Sequence, residues 1–464
     1  MRKEKDSMGE MEVPDDAYYG ASTRRAVLNF PISDLRFPRS FIRSLCLIKH
    51  YAAVVNEKDG LLDWTKSKAI QEASLEAANG KFDKQFVVDI FQTGSGTSTN
   101  MNANEVIASR AIEILTGHAG GEANRSLIHP NDHVNLGMSS NDAIPTAIHL
   151  AALCDIKEKL EPALKNLETA LDLKSKEFMG VIKTGRTHLQ DATPILLGQE
   201  FIGYKGQVER AIERLQYAKL RLNHLALGGT AVGTGINTKP HFAKSVIELL
   251  SKELNLDLKE TSNHFQAQST IDEIADASGV LKTIALSLLK MANDIRFMGC
   301  GPRAGFGEIE LPEVQPGSSI MPGKVNPVIA ESLAMVCAQV VGNDATINIA
   351  SQSGNFELNV MQPVAAYNLL QSINLLANGS LNFSEKCIKG LKSTSKGPEM
   401  VERGLSLCTA LVPAIGYDAS AKIAHRAYET GKSIKEIARE DTSLSEAELN
   451  SLLDPYKMIT QSTD

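Results

Sequence analysis

The stretch LAALCDIKEKLEPALKNLETAL, residues 150–171, places Leu153, Ile156, Leu160, Leu164, Leu167 and Leu171 three or four positions apart. At 3.6 residues per turn, this spacing gathers the apolar side chains on one stripe of an α-helix, the seam of a long helix packed lengthwise on others. The helical pattern begins near Ile144. Pro162 lies inside it; lacking an N–H and crowding the carbonyl four residues back, it predicts a bend or a break there. Leu281, Ile284, Leu288, Met291, Ile295 and Met298 repeat the spacing, and Val208, Ile212, Leu215 and Leu222 keep it more loosely. At least three long helices therefore share one bundle, and the expected fold class is all-α, mainly helical.

Outward from the bundle the texture changes. Residues 1–135 mix shorter helical segments with polar and Gly-rich pieces such as QTGSGTSTN and TGHAGGEANRS, the expectation for a separate N-terminal domain. Residues 136–390 form the bundle domain, and 391–464 read as a small C-terminal helical domain. In that last part, Ser443 to Glu446 matches a capping box opening a final helix.

Composition narrows the function classes. The 464 residues carry 22% charged side chains and a formal net charge of −7, so no basic surplus points to nucleic acid or an anionic membrane. The six cysteines are far apart, with no CxxC pair and no Cys/His spacing typical of zinc; they read as reduced, mostly buried thiols of a cytoplasmic protein. The N-terminal MRKEKDSMGEMEVP has no apolar core of a secretory signal. Apolar runs such as VLKTIALSLLKMA are interrupted by Lys282 and Lys290, so no membrane span is expected and the protein reads as soluble.

Five polar clusters interrupt the helical plan: TGSGTSTN (93–100), HPND (129–132), SSND (139–142), GRTHLQDATP (185–194) and GSSIMPGKVNP (317–327). Their simplest role is capping, because Ser, Thr, Asn and Asp satisfy the free N–H groups where helices start. The same helix ends, with free N–H groups and the positive end of the dipole, also bind carboxylates. TGSGT lacks the GK[ST] ending of a phosphate loop, and LGGTAVGTGIN (227–237) lacks GxGxxG spacing, so its glycines point to close backbone packing. In the last cluster Gly317 and Gly323 permit closing motions, Pro322 and Pro327 stiffen the turns, and Lys324 with Asn326 offers a charge and an amide. A lone histidine such as His188 is by spacing alone more often structural than catalytic.

GSSIMPGKVNP is similar to the signature of the fumarase/aspartase superfamily, and the other clusters, followed by SGNFELNV (353–360), fall in that family's order along essentially the whole chain. His188, Gly323 and SGNFELNV resemble the class II fumarase branch. DDAYYGASTRRAVLNF (15–30), DHVN (132–135) and Met138 look like the aspartase branch, so aspartase is the alternative, with a non-catalytic scaffold as a third reading.

The resemblance implies reversible, stereospecific hydration of fumarate to (S)-malate through an aci-carboxylate carbanion, without cofactor or metal. It implies that Ser318 is the base, and that His188, oriented by Glu331, handles the water or hydroxide. Ser95, Gly96, Thr97, Ser139, Ser140, Asn141, Thr187, Ser319, Lys324, Val325 and Asn326 would bind the dicarboxylate. His129, Pro130, Asn131 and Asp132 correspond to a second dicarboxylate site, and Arg125 is offset by one place from the family's arginine there. The family's members are homotetramers whose active sites draw loops from three chains, and the long seams fit subunits that bury them against one another.

Overall fold

The 150–171 stripe lies on a helical path running from Ser140 to Glu177 in the computed structural model, which describes residues 1–118 and 126–459. Arg125 therefore lies outside the described residues. The path is an α-helix, Ser140–Asp155, then five residues of π-helix, Ile156–Leu160, then a second α-helix, Glu161–Glu177. Pro162 breaks nothing. It is the second residue of the second helix, and the wider π-turn just before it takes up the donor and the space that a proline denies a regular ladder.

All six apolar residues of the stripe are buried, as are Leu281, Ile284, Leu288, Met291, Ile295 and Met298. Each such side chain contributes about 1.5–3 kcal/mol by leaving water. This corrects the expectation that the seams meet partner subunits, because they are already covered within one chain. The apolar residues left exposed on the long helices are others, among them Leu220, Leu286, Met335 and Ile349. The helix Val328–Ser351 is also long and apolar enough to cross a membrane by length and composition, which the sequence reading did not anticipate.

Two compact units make up the chain. The first comprises Met1–Pro162, Glu213–Ala285 and Ala338–Ala377. It opens with an antiparallel hairpin, Arg2–Asp6 against Gly9–Val13, in which Arg2 faces Val13 and Asp6 faces Gly9. Its centre is the helix Ser140–Asp155, with which Arg39–Lys58 packs; Arg39–Lys58 also meets Trp64–Ala78, Thr97–Thr116 and Phe242–Leu254. Ile144, Ile148 and Leu150 are fully buried there.

The second unit comprises Ala163–Ile212, Leu286–Cys337 and Asn378–Asp464. A hairpin, Ile182–Thr187 with Gln190–Leu196, supplies Ile182 and Leu196 to a core shared with Val401, Leu411, Ile423, Ile437 and Leu449 of the C-terminal helices. The capping box expected at Ser443 falls two residues later. Ser445 accepts from the Glu448 N–H and the Glu448 carboxylate accepts from the Ser445 N–H, opening the helix Glu446–Leu452. An unanticipated box, Ser433 with Glu436, opens Ile434–Asp441. All six cysteines are unpaired, four of them buried.

Candidate active site

In the first unit, two polar clusters converge as the starts of two helices. Gly96, at φ +73°, caps Thr97–Thr116, and a Cβ there would come within 2.9 Å of the Ile144 side chain, so only glycine lets the loop press on the neighbouring helix. Ser95 and Thr97 share a hydroxyl hydrogen bond of 2.7 Å. Gly94 is pressed against Val360, and its carbonyl accepts from the Gln362 N–H at 3.1 Å, which docks the SGNFELNV segment on this loop.

Ser139 caps the helix Ser140–Asp155, and Asp142 completes a capping box by accepting from the Ser139 N–H at 2.8 Å. The other Asp142 oxygen accepts from the Gly228 and Thr230 N–H groups, both at 3.0 Å. Burial pushes this carboxyl above its usual range, while the backbone donors and Lys49 oppose that shift. Asn141 donates to the Ala231 carbonyl at 2.8 Å. The glycines of 227–237 do allow close packing: a Cβ on Gly229 would lie 1.9 Å from Gln268 Oε1. An Asn100 bridge ties the two helix starts together, its Nδ2 donating to Ser140 Oγ at 3.0 Å. Adjacent helix N-termini rimmed with Ser95, Thr97, Ser139, Ser140 and Asn141 present hydroxyl and amide groups at the positive ends of two helix dipoles, where negative charge is favoured.

His129 opens the neighbouring turn, Pro130–Val134, where its Nδ1 accepts from the Asn131 and Asp132 N–H groups at 3.3 and 3.2 Å. Asn131 and Asp132 are exposed, and Asn135, which closes the turn on the Pro130 carbonyl, accepts from Asn100 at 3.2 Å.

The second unit carries the other clusters. GRTHLQDATP is not an irregular loop but the turn and strands of a hairpin, with Thr187 opposite Gln190 and only His188 and Leu189 between them. Both sit in the left-handed region, at φ +56° and +60°, as a two-residue hairpin turn requires. Neither is glycine or asparagine, so the turn holds strain at the residue of chemical interest. The strand before it is anchored by a buried ion cluster. Glu308, 1% exposed, accepts from Arg186 at 2.9 and 3.1 Å and pairs with Lys183 at 3.3 Å. Arg186 also lies 4.1 Å over the Phe306 ring. Among the described residues no hydrogen bond joins His188 to Glu331, which stands in the first turn of Val328–Ser351.

The loop 317–327 is pinched at its base. A Cβ on Gly317 would lie 1.8 Å from the Lys324 carbonyl, and the Asn326 amide donates to the Gly317 carbonyl. Gly317 therefore serves close approach, and one Asn326 donor is spent inside the loop. Gly323 turns at φ +77° with open space around it. Ser318 Oγ accepts from the Ile320 and Met321 N–H groups at 3.3 and 3.0 Å. Ser319, Lys324 and Val325 are exposed, and Lys324 has no ion-pair partner among the described residues. Lys324, Val325 and Asn326 line a cavity of about 780 Å³ together with Arg296, Cys300 and Leu311.

Sequence reading missed Glu308, which its GFGEIELP context does not mark, and Lys49. The signal for Lys49 was a cation on the apolar stripe of Leu45, Ile48 and Ala52.

Comparison with known proteins shows the family. The family described as "Lyase" matches residues 9–342, and that described as "Fumarase C C-terminus" matches residues 407–460. A fumarate hydratase class II of Halobacterium salinarum is 52% identical over 98% of this chain and 97% of its own length. The mitochondrial fumarate hydratase of Saccharomyces cerevisiae is 49% identical over 99% of this chain and 94% of its own. Among solved structures, the recombinant class II fumarase from Schistosoma mansoni superposes with a TM-score of 0.94 at 40% identity, covering 98% of each chain. The fumarate lyase:delta crystallin from Brucella melitensis, bound to cobalt, also reaches 0.94, at 44% identity over 99% of this chain and 100% of its own. The chain belongs to the helical lyase family and, within it, to the class II fumarases.

Proposed function

We propose that this protein is a fumarate hydratase, adding water reversibly and stereospecifically to fumarate to give (S)-malate. The observation that carries the reading is the pair of abutting helix N-termini in the first unit, rimmed by Ser95, Thr97, Ser139, Ser140 and Asn141. They offer neutral donors to a substrate carboxylate, and the Asp142 carboxylate at the second helix start is buried and turned to the Ser139, Gly228 and Thr230 N–H groups. Family membership supplies the reaction class.

Run from malate, the reaction needs a base for the C–H proton, a sink for the aci-carboxylate charge and an acid for the departing hydroxide. Ser318 takes the first role. A neutral serine is a weak base, and the Ile320 and Met321 N–H groups that donate to its Oγ support the assignment because they stabilise an alkoxide there. Lys324, exposed and without an ion-pair partner among the described residues, with the remaining Asn326 donor, Ser319 and the Val325 backbone, receives the growing negative charge. Preorganised donors of this kind are each worth roughly 2.7–4 kcal/mol. His188, with Thr187 beside it and Glu331 orienting it, passes a proton to the leaving hydroxide, completing a β-elimination in which C–H and C–O bonds break and C=C forms.

These parts assemble between subunits of a homotetramer, each site drawing on three chains. Exposed apolar residues on the long helices, Met335 and Ile349 among them, support the assembly because they need cover from water. His129, Pro130, Asn131 and Asp132 form a second dicarboxylate site nearby. Six unpaired cysteines suit a reducing compartment, and we place the protein in the cytoplasm.

The test is to follow the ultraviolet absorbance of fumarate with purified protein, with and without ammonium. Loss of fumarate without ammonium supports hydration. Loss only with ammonium would instead assign aspartase activity, and no loss under either condition would mean a non-catalytic scaffold.

A further inference from the structure

Lys49 is a basic residue buried in the first unit. It sits in mid-helix Arg39–Lys58 with no exposed surface, and burial pulls its pKa down to about 7. Its one hydrogen-bond acceptor among the described residues is Asn135 Oδ1, at 2.6 Å. A methionine would fill the same space without the desolvation cost, so packing alone gives no reason for a lysine here.

The partners of that acceptor supply one. In its charged form Lys49 can only donate, and Asn135 turns its oxygen to Lys49 and its Nδ2 to the Met138 carbonyl, at 3.0 Å. The same oxygen accepts from Asn100 Nδ2, at 3.2 Å, which obliges Asn100 to turn its nitrogen to this side. The second hydrogen of that nitrogen goes to Ser140 Oγ, at 3.0 Å, so the serine oxygen is an acceptor inside the protein. Its own hydrogen is then free to point outward. Were Asn100 flipped, its oxygen would face Ser140 and draw that hydrogen inward. Asn100 Oδ1, buried and without a hydrogen-bond partner among the described residues, shows that the present orientation is held at a cost.

We propose that Lys49 is a positioning residue that sets the direction of the chain Lys49–Asn135–Asn100–Ser140, so that the Ser140 hydroxyl donates to a substrate carboxylate. The proposal rests on the fumarate hydratase reading, in which Ser140 binds substrate. The Met138 carbonyl also favours this orientation of Asn135, so losing Lys49 weakens the chain's direction rather than reversing it.

The experiment compares the full-length oligomer with Lys49→Met, Asn100→Asp, Ser140→Ala and the Lys49→Met/Ser140→Ala double variant, measuring kcat, KM for fumarate and the thermal midpoint. Lys49→Met is expected to raise KM by about three- to tenfold, as one misdirected hydrogen bond should, with kcat little changed and the thermal midpoint equal or higher. In the Ser140→Ala background the same substitution should change KM less than twofold, because the hydroxyl it directs is gone. Asn100→Asp, which can only accept, should reverse the chain and raise KM to the level of Ser140→Ala. An unchanged KM in Lys49→Met, or equal effects with and without Ser140, overturns the proposal. Should Lys49→Met fail to fold, an Asn100→Asp enzyme with wild-type KM overturns it equally. A wild-type enzyme inert towards fumarate would instead defeat the functional reading itself.

Discussion

Replacing Glu308 by glutamine tests whether the ion cluster beneath the 182–196 hairpin holds His188 in place. The change preserves shape and removes one charge. Glu308 is 1% exposed and takes two hydrogen bonds from Arg186, at 2.9 and 3.1 Å, besides pairing with Lys183 at 3.3 Å. Glutamine keeps one oxygen and puts an NH₂ group where the other was, so a donor faces a donor on Arg186 or Lys183. Lys183, 2% exposed, retains Glu200 as counter-ion, at 2.7 Å. Breaking a buried pair from one side costs about 3–5 kcal/mol, so the denaturation midpoint should fall well below that of the parent. Two residues beyond Arg186, the strained turn carries His188. A displacement of about 1 Å at a catalytic group can cost about 100-fold, so kcat/KM should fall by roughly that factor. Steady-state absorbance kinetics with fumarate and urea denaturation on the same preparation read both effects. Parent-like kcat/KM in a clearly destabilised Glu308→Gln protein would refute the link between the anchor and the turn, leaving Glu308 a role in folding only.

Two further outcomes follow from particular residues. His188→Asn should lose about 10²–10⁴-fold in kcat, the range for removing a general acid–base group, while size-exclusion chromatography shows an unchanged oligomer. Asparagine tolerates the φ of +56° at that position, so near-normal turnover would remove His188 from the chemistry rather than report a misfolded turn. Hydrogen bonds from Arg110 hold the Glu76 carboxyl below its ordinary value of 4.5. A depressed carboxyl stabilises the folded state above about pH 4.5 and loses that contribution as pH falls through its folded value. Arg110→Met should therefore lower stability by roughly 1.5–3 kcal/mol near pH 7, a difference that closes in acid; a gap that stays constant down to pH 3 would contradict the assignment.

Much of the fold was legible because helix formation is periodic and local. The seams at 153–171 and 281–298 needed only a 3.6-residue repeat to be found, and both are buried along their length. The cap at Ser139 was equally local, since it lies immediately before the apolar run it opens. Locality also explains the misses. Ser443 and Ser445 offer the same four-residue box, and only the path of the chain selects the second. Pro162 reads as a breaker until a π-turn before it is known. GRTHLQDATP reads as loop because its pairing is decided by strand register and by the Arg186 anchor 122 residues away at Glu308.

By itself, then, the sequence determined the helical class, the helix start at Ser139 and the family-like order of polar clusters, all properties of neighbouring residues. Tertiary structure alone decided that Asn100 meets Ser140, that Lys49 stands behind both, and that Glu308 underlies the hairpin. Hydrogen bonds between residues 40 to 122 positions apart leave no periodic trace in a chain, because they depend on where whole helices come to rest.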